Sequence, residues 1–113
     1  SEKNIVFYFD FDSYVIKDIP DSLTEFIAYL NANQSYKLVL VGRTDQIGTT
    51  DYNSYLGEMR AKAVAKLLTS KGVEANKLKV ISKGEMDPII RCSPCNAESN
   101  AKNRLVNLDI IKP

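Results

Sequence analysis

The sequence predicts a single α/β domain over residues 1–113, α+β in its layering, in the order β-α-β-α-β-(short α)-β. Two long helices pack on one face of a mixed four-stranded sheet. Three observations predict it. Apolar residues alternate with period two near both ends of the chain. Two longer stretches repeat their apolar residues at helical spacing. A Leu- and Val-rich run lies between those stretches, as a central strand requires.

Ile5, Phe7, Phe9 and Phe11 alternate with Val6, Tyr8, Asp10 and Asp12, a first strand with one buried face. Pro20 favours a helix start, and Ser22 with Glu25 fits a capping box. Leu23, Phe26, Ile27 and Leu30 then recur at helical spacing until the polar stop from Asn31 to Ser35. Lys37 to Val41 is the second strand, and Gly42 to Gly48 is a loop with a glycine at each end. Thr49 or Thr50 caps the second helix. Its expected core stripe is Tyr52, Leu56, Met59, Ala63 and Leu67, and Lys71-Gly72 ends it. Leu78 and Val80 mark a short third strand. A long loop with Pro88 and Pro94 follows, then a short helical turn from Ala97 to Asn103. Val106, Leu108 and Ile110 alternate in the last strand.

Composition excludes several classes of function. Lys and Arg number 15 against 14 Asp and Glu, so no basic footprint for nucleic acid is present. The chain has no histidine, which removes the commonest general base and the commonest zinc ligand. No cofactor or metal is implied. No apolar run approaches the roughly 20 residues of a membrane span, so a membrane link would run through flanking segments outside this sequence. Cys92-Ser93-Pro94-Cys95 is a CxxC in a Pro-rich loop, unlike the helix-opening position of a redox motif. It reads as a loop-stapling disulfide or as two free thiols. Phe26, Tyr29, Tyr52 and Tyr55 read as core packing. Lys62, Lys66, Lys71, Lys77 and Lys79 read as a solvated face.

Asn53 and Arg60 are seven residues apart, about 20° from each other at 100° per residue. That places both at the edge of the buried face of the second helix. Asp45 lies in the loop at the carboxyl end of the second strand, where α/β sheets commonly build ligand sites. Arg60 offers a planar fork suited to a carboxylate, and Asp45 suits an ammonium, so the pair matches a zwitterion. From spacing alone, a salt bridge between them or a loop-capping aspartate is the favoured reading.

The string from Val41-Gly42-Arg43-Thr44-Asp45-Gln46-Ile47-Gly48 to Tyr52-Asn53-Ser54-Tyr55-Leu56-Gly57-Glu58-Met59-Arg60-Ala61 resembles the core signature of the OmpA C-terminal-like domain. Phe9-Asp10-Phe11-Asp12-Ser13 resembles that family's opening, Lys83-Gly84-Glu85 with Pro88 a later motif, and Asn103-Arg104 with Val106 its closing motif. The resemblance covers nearly the whole chain. It implies a non-enzymatic binding domain that holds the diaminopimelate of the peptidoglycan stem peptide. Asp45 would hold the ammonium and Arg60 the carboxylate. Asn53 would add a hydrogen bond, Thr44 would flank Asp45, and Asp10 and Asp12 would border the pocket. Leu56 would be its apolar wall, with Arg104 nearby. The resemblance further implies a periplasmic domain of a larger outer-membrane or lipid-anchored protein. Under it, a protein-interaction module with a Tol-type periplasmic partner is the alternative. A peptidoglycan hydrolase pairing Asp10, Asp12 and Asp45 ranks below both. Three departures stand out: Arg43 replaces a frequent histidine, Gly57 replaces a serine, and Asn100 and Leu105 stand where arginines are common. The last two put any ligand contact that needs those arginines in question.

Overall fold

The computed structural model describes residues 4–113. Eight elements follow one another: β1 (Val6–Tyr8), α1 (Leu23–Ala32), β2 (Lys37–Arg43), α2 (Thr50–Ser70), a 3-10 turn (Ala75–Lys77), β3 (Leu78–Gly84), α3 (Ala97–Asn103) and β4 (Leu105–Ile111). The sheet order is β1-β4-β2-β3. β4 runs antiparallel to both β1 and β2, while β2 and β3 are parallel and joined through α2. The sheet is therefore mixed, and the two long helices share one face of it.

The core follows from the two periodicities. Ile5, Phe7 and Phe9 of the β1 region, Leu38 and Leu40 of β2, and Val106 and Leu108 of β4 face the helices. They pack with Leu23, Phe26, Ile27 and Leu30 of α1 and with Ala61, Val64 and Leu68 of α2. Phe11 leaves the pattern and is exposed. The chain turns there: Ser13 N–H donates to the Asp10 carbonyl, and Asp12 takes a φ of 53°. A turn ends a period-two run.

Three expectations need correction. The Ser22 side chain makes no capping bond, because its backbone is not in the extended conformation that a capping box uses. Thr49 does cap α2, accepting from Tyr52 N–H. The buried stripe of α2 is Asn53, Leu56, Gly57, Arg60, Ala61, Val64 and Leu68. Tyr52 is exposed, and Met59, Ala63 and Leu67 are only half-buried, so the stripe is rotated from the expected one. Lys77 is buried rather than solvated. Its ammonium donates to the carbonyls of Leu30, Asn33 and Gln34 at 3.1, 3.0 and 3.3 Å. These carbonyls lie in the last turn of α1 and just beyond it, and a cation suits the negative end of a helix.

Gly57 has a structural reason. A Cβ on Gly42 of β2 would sit 1.7 Å from the Gly57 carbonyl oxygen. A Cβ on Gly57 would sit 2.3 Å from Ser82 Oγ and 2.9 Å from the Gly42 carbonyl oxygen. The backbones of α2 and β2 touch here. That contact draws the N-terminal half of α2 onto the ends of β2 and β3.

Overpacking at a backbone contact costs about 1–3 kcal/mol or more. Gly42→Ala is expected to lose at least about 3 kcal/mol in urea unfolding, since its obstacle is backbone. Gly57→Ala should lose less, because Ser82 can rotate, and Ser82→Ala should relieve part of the loss. Equal stability of Gly42→Ala and the parent would contradict the contact.

Candidate functional site

The register places Arg43 beside both Leu105 and Gly84, and Tyr8 beside Leu105. One end of the sheet therefore gathers the carboxyl ends of β1, β2 and β3 with the start of β4. The turn at residues 10–13, the loop at residues 44–49 and the N-terminus of α2 meet there. Gly84, with a φ of +52°, lets β3 pass close to the backbone at Asn53 and Ser54.

Arg60 is the centre of this end. It is 0% exposed, among the largest fully buried side chains. Its Nε donates to the Ser13 carbonyl at 2.7 Å, one terminal nitrogen to the Arg43 carbonyl at 2.9 Å, and the other to the Asp10 carbonyl at 3.1 Å. The guanidinium also lies 5.3 Å from the centroid of the Phe9 ring. Burial pushes its pKa down to about 10, with Arg104 adding to the fall and Asp45 opposing it. It remains a cation at neutral pH. Three bonds use three of its five N–H donors.

Asp45 is 4% exposed and pairs with Arg104, not Arg60. Its Oδ1 accepts from Ile47 N–H at 3.1 Å, and its Oδ2 lies 3.4 Å from an Arg104 terminal nitrogen. Arg104 Nε donates to the Phe9 carbonyl at 2.9 Å, tying the start of β4 to the end of β1. Asn53 is a staple. Its amide nitrogen reaches the Asp45 and Ile47 carbonyls at 3.4 and 3.1 Å and Glu85 Oε1 at 2.9 Å. Thr44 is buried, its hydroxyl donating to the Asp45 carbonyl at 2.8 Å.

A cleft of about 180 Å³ opens over Asp45, lined by Phe11, Asp12, Asp45, Ile47, Gly48, Tyr52, Asn53 and Leu56. Four residues expected from the sequence, Asp12, Asp45, Asn53 and Leu56, line it. Asp10 and Arg104 instead line a neighbouring depression of about 270 Å³, where Asp10 pairs with Lys17 at 2.9 Å. Arg104 reaches from that depression to Asp45. Thr44 and Arg60 are buried and line neither opening. Sequence reasoning missed Phe11, Ile47, Gly48 and Tyr52 as lining, and Glu85 as the partner of Asn53. Glu85 stands in the Lys83-Gly84-Glu85 motif, which was the one available signal.

The departures fall away from the cleft. Arg43 Nε donates to Asn107 Oδ1 at 2.9 Å, and the same side chain bonds the Asp87 carbonyl. Arg43 and Leu105 point to the sheet face opposite the helices, by alternation with Val106. The Asn100 side chain reaches the Cys95 carbonyl at 3.5 Å. Cys92 and Cys95 form a disulfide, and Gln46 touches the Cys92 carbonyl at 3.3 Å.

Comparison with known proteins adds to this geometry. Residues 8–104 match the model of the OmpA family. A peptidoglycan-associated lipoprotein of Haemophilus influenzae is 44% identical over 84 residues, which is 74% of this chain and 55% of that protein. Outer membrane protein A of Bordetella avium is 37% identical over 105 residues, 92% of this chain and 53% of that protein. The chain thus spans a little over half the length of these relatives. The crystal structure of the peptidoglycan-associated lipoprotein from Burkholderia pseudomallei superposes with a TM-score of 0.86 at 32% identity, covering 95% of this chain and 90% of that one.

Removing Arg60 would take a donor from three carbonyl oxygens, those of Asp10 and Ser13 in the turn after β1 and of Arg43 at the end of β2, each such bond worth about 1–3 kcal/mol. Arg60→Met is expected to lose about 3 kcal/mol or more, read by urea unfolding. Asp45→Asn retains an acceptor for Ile47 N–H but leaves Arg104 without its counter-charge, and should lose about 1–3 kcal/mol, less than Arg60→Met. Near-parent stability of Arg60→Met would show that Arg60 does not hold this end of the sheet together.

Proposed function

The chain belongs to the OmpA family, and from that premise we propose that it binds peptidoglycan without cleaving it and anchors a larger periplasmic protein to the wall. The names of its relatives support the wall as the target. The ligand group is the diaminopimelate of the stem peptide. The observation that carries the reading is a nearly buried carboxylate, Asp45, at the floor of a cleft with an apolar wall. An ammonium docking there meets a charge already shielded from water, so the hydrogen bond is strong and selective.

Arg60 supplies the charge for the ligand carboxylate. Two of its N–H donors are left after the three carbonyls are served. They become reachable as the turn at residues 10–13, which Arg60 holds from below, lifts with the ligand. Asn53 and Glu85 keep the loop at residues 44–49 in place while this happens. The assembly only binds: Asp45 and Asp12 are held by donors, and no serine, threonine, cysteine or histidine lines the cleft among the described residues. Selectivity arises because a wall peptide lacking the second carboxylate leaves Arg60 without an added partner while disturbing the turn.

Sedimentation with purified sacculi tests this. The parent domain is expected to pellet with diaminopimelate-containing sacculi and to remain soluble with lysine-containing ones. Asp45→Asn should weaken binding about 30-fold or more, the loss of one charge-assisted bond in a shielded site. Its far-ultraviolet circular dichroism should match the parent's, which separates lost binding from lost folding. Equal pelleting of Asp45→Asn, or equal pelleting with both wall types, would overturn the reading.

A further inference from the structure

The chain holds two cysteines, Cys92 and Cys95, and they are bridged across a sequence separation of 3. A loop this short removes less chain entropy from the unfolded state than a long one does, so the effect of the bridge is mainly local. Both flanks are held without it. Asn103 serves both backbone groups of Ile90, accepting from its N–H at 2.8 Å and donating to its carbonyl at 3.0 Å. Asn96 caps α3 by accepting from Ser99 N–H at 2.8 Å. Opening the bridge would therefore free residues 92–95 and leave the chain on either side anchored. Those residues touch the site. Gln46 Nε2 donates to the Cys92 carbonyl at 3.3 Å. Gln46 stands between Asp45 and Ile47, and the Ile47 N–H donates to the Asp45 carboxylate at 3.1 Å. Ser93 and Pro94 are exposed and both cysteines only half-buried, so the sulfurs are open to a reductant from solvent.

We propose that the Cys92–Cys95 bridge is a reversible redox modification site whose state sets how firmly the loop carrying Asp45 is held. The co-reactant is a dithiol. One of its thiolates attacks a sulfur of the bridge, the Cys92–Cys95 bond breaks, and the other cysteine leaves as a thiolate that takes a proton from water. The second thiol of the reductant then attacks the reductant's own sulfur in the mixed disulfide and displaces the remaining cysteine. The chain gains two electrons and two protons and ends with two thiols, while the reductant ends as a disulfide. With the bridge open, the Cys92 carbonyl is no longer a fixed acceptor for Gln46, and the loop at residues 44–49 loses an outer tie. The consequence for a ligand rests on the reading of the cleft as the peptide site. Gln46 lies outside the cleft lining, so the tie and the ligand contacts are separable by substitution.

Hydrogen exchange followed by NMR, on the oxidised parent and on the parent in dithiothreitol, tests the tie without any ligand. Reduction is expected to speed exchange at the Ile47 amide about threefold, the loss of one exposed hydrogen bond. The far-ultraviolet circular dichroism should not change. Cys92→Ser/Cys95→Ser should show the faster rate in both buffers. Gln46→Ala should show it too, with no further response to reduction. A bridge that resists dithiothreitol in the native state, an Ile47 rate unmoved by reduction, or a Gln46→Ala variant that still responds would each overturn the proposal. Calorimetry with a diaminopimelate tripeptide reads the consequence. The parent's affinity is expected to fall about threefold on reduction, and that of Gln46→Ala to be the same in both states. Equal affinity of the oxidised and reduced parent would overturn the link to binding. Failure of the tripeptide to bind either form, with the Ile47 rate responding to reduction, would sustain the redox site and sink the cleft reading.

Discussion

One buried guanidinium sets the architecture of the functional end. Arg60 leaves the middle of α2 and ends on carbonyl oxygens from two places, the turn after β1 and the last residue of β2. A cation this deep is tolerated only when its donors are satisfied, and backbone carbonyls satisfy it without adding a second buried charge. The consequence is geometric. The turn carrying Phe11 and Asp12 and the strand end leading to Asp45 are both fixed relative to α2. The cleft is the space left between these fixed parts.

A second constraint works with the first. Gly42 and Gly57 let the helix and strand backbones touch, which sets the depth at which Arg60 and Asn53 enter the sheet's end. A thicker interface would lift α2 and pull both side chains away from their carbonyl partners. The same glycine that weakens the helix by propensity, by about 1 kcal/mol, is thus required by the site. Lys77 plays a related part at the opposite end, where it closes α1 through three carbonyls. In both places a long cation is anchored by main-chain acceptors from other elements.

The strands and helices were legible in the sequence because apolar period reports them. Ile5, Phe7 and Phe9 behave as the alternation requires, and α3 spans Ala97–Asn103 as read. The buried stripe of α2 was not legible, for a definite reason. Asn53, Gly57 and Arg60 occupy buried positions but are polar or small, so a stripe traced through apolar residues shifted onto Tyr52, Met59, Ala63 and Leu67. The shift concealed two things at once: that Arg60 is internal, and that Tyr52 and Tyr55 face water. Asp45 was placed correctly in its loop, yet its ionic partner is 59 residues away at Arg104. Pairings of that range are set by strand order, which local sequence does not encode.

Arg60 anchors this end of the fold, and in the proposed binding mode it is also the charge that a ligand carboxylate meets from above. Its Nε–H is a direct reporter of both. A proton–nitrogen NMR titration with a diaminopimelate-containing tripeptide would follow that resonance beside the amides of Asp45 and Ile47 and the side-chain amide of Asn53. All four are expected to move together and saturate at one ligand per chain if the proposed binding mode holds. An Arg60 resonance that stays fixed while the ligand saturates elsewhere, as in the depression between Ser54 and Lys83, would contradict it.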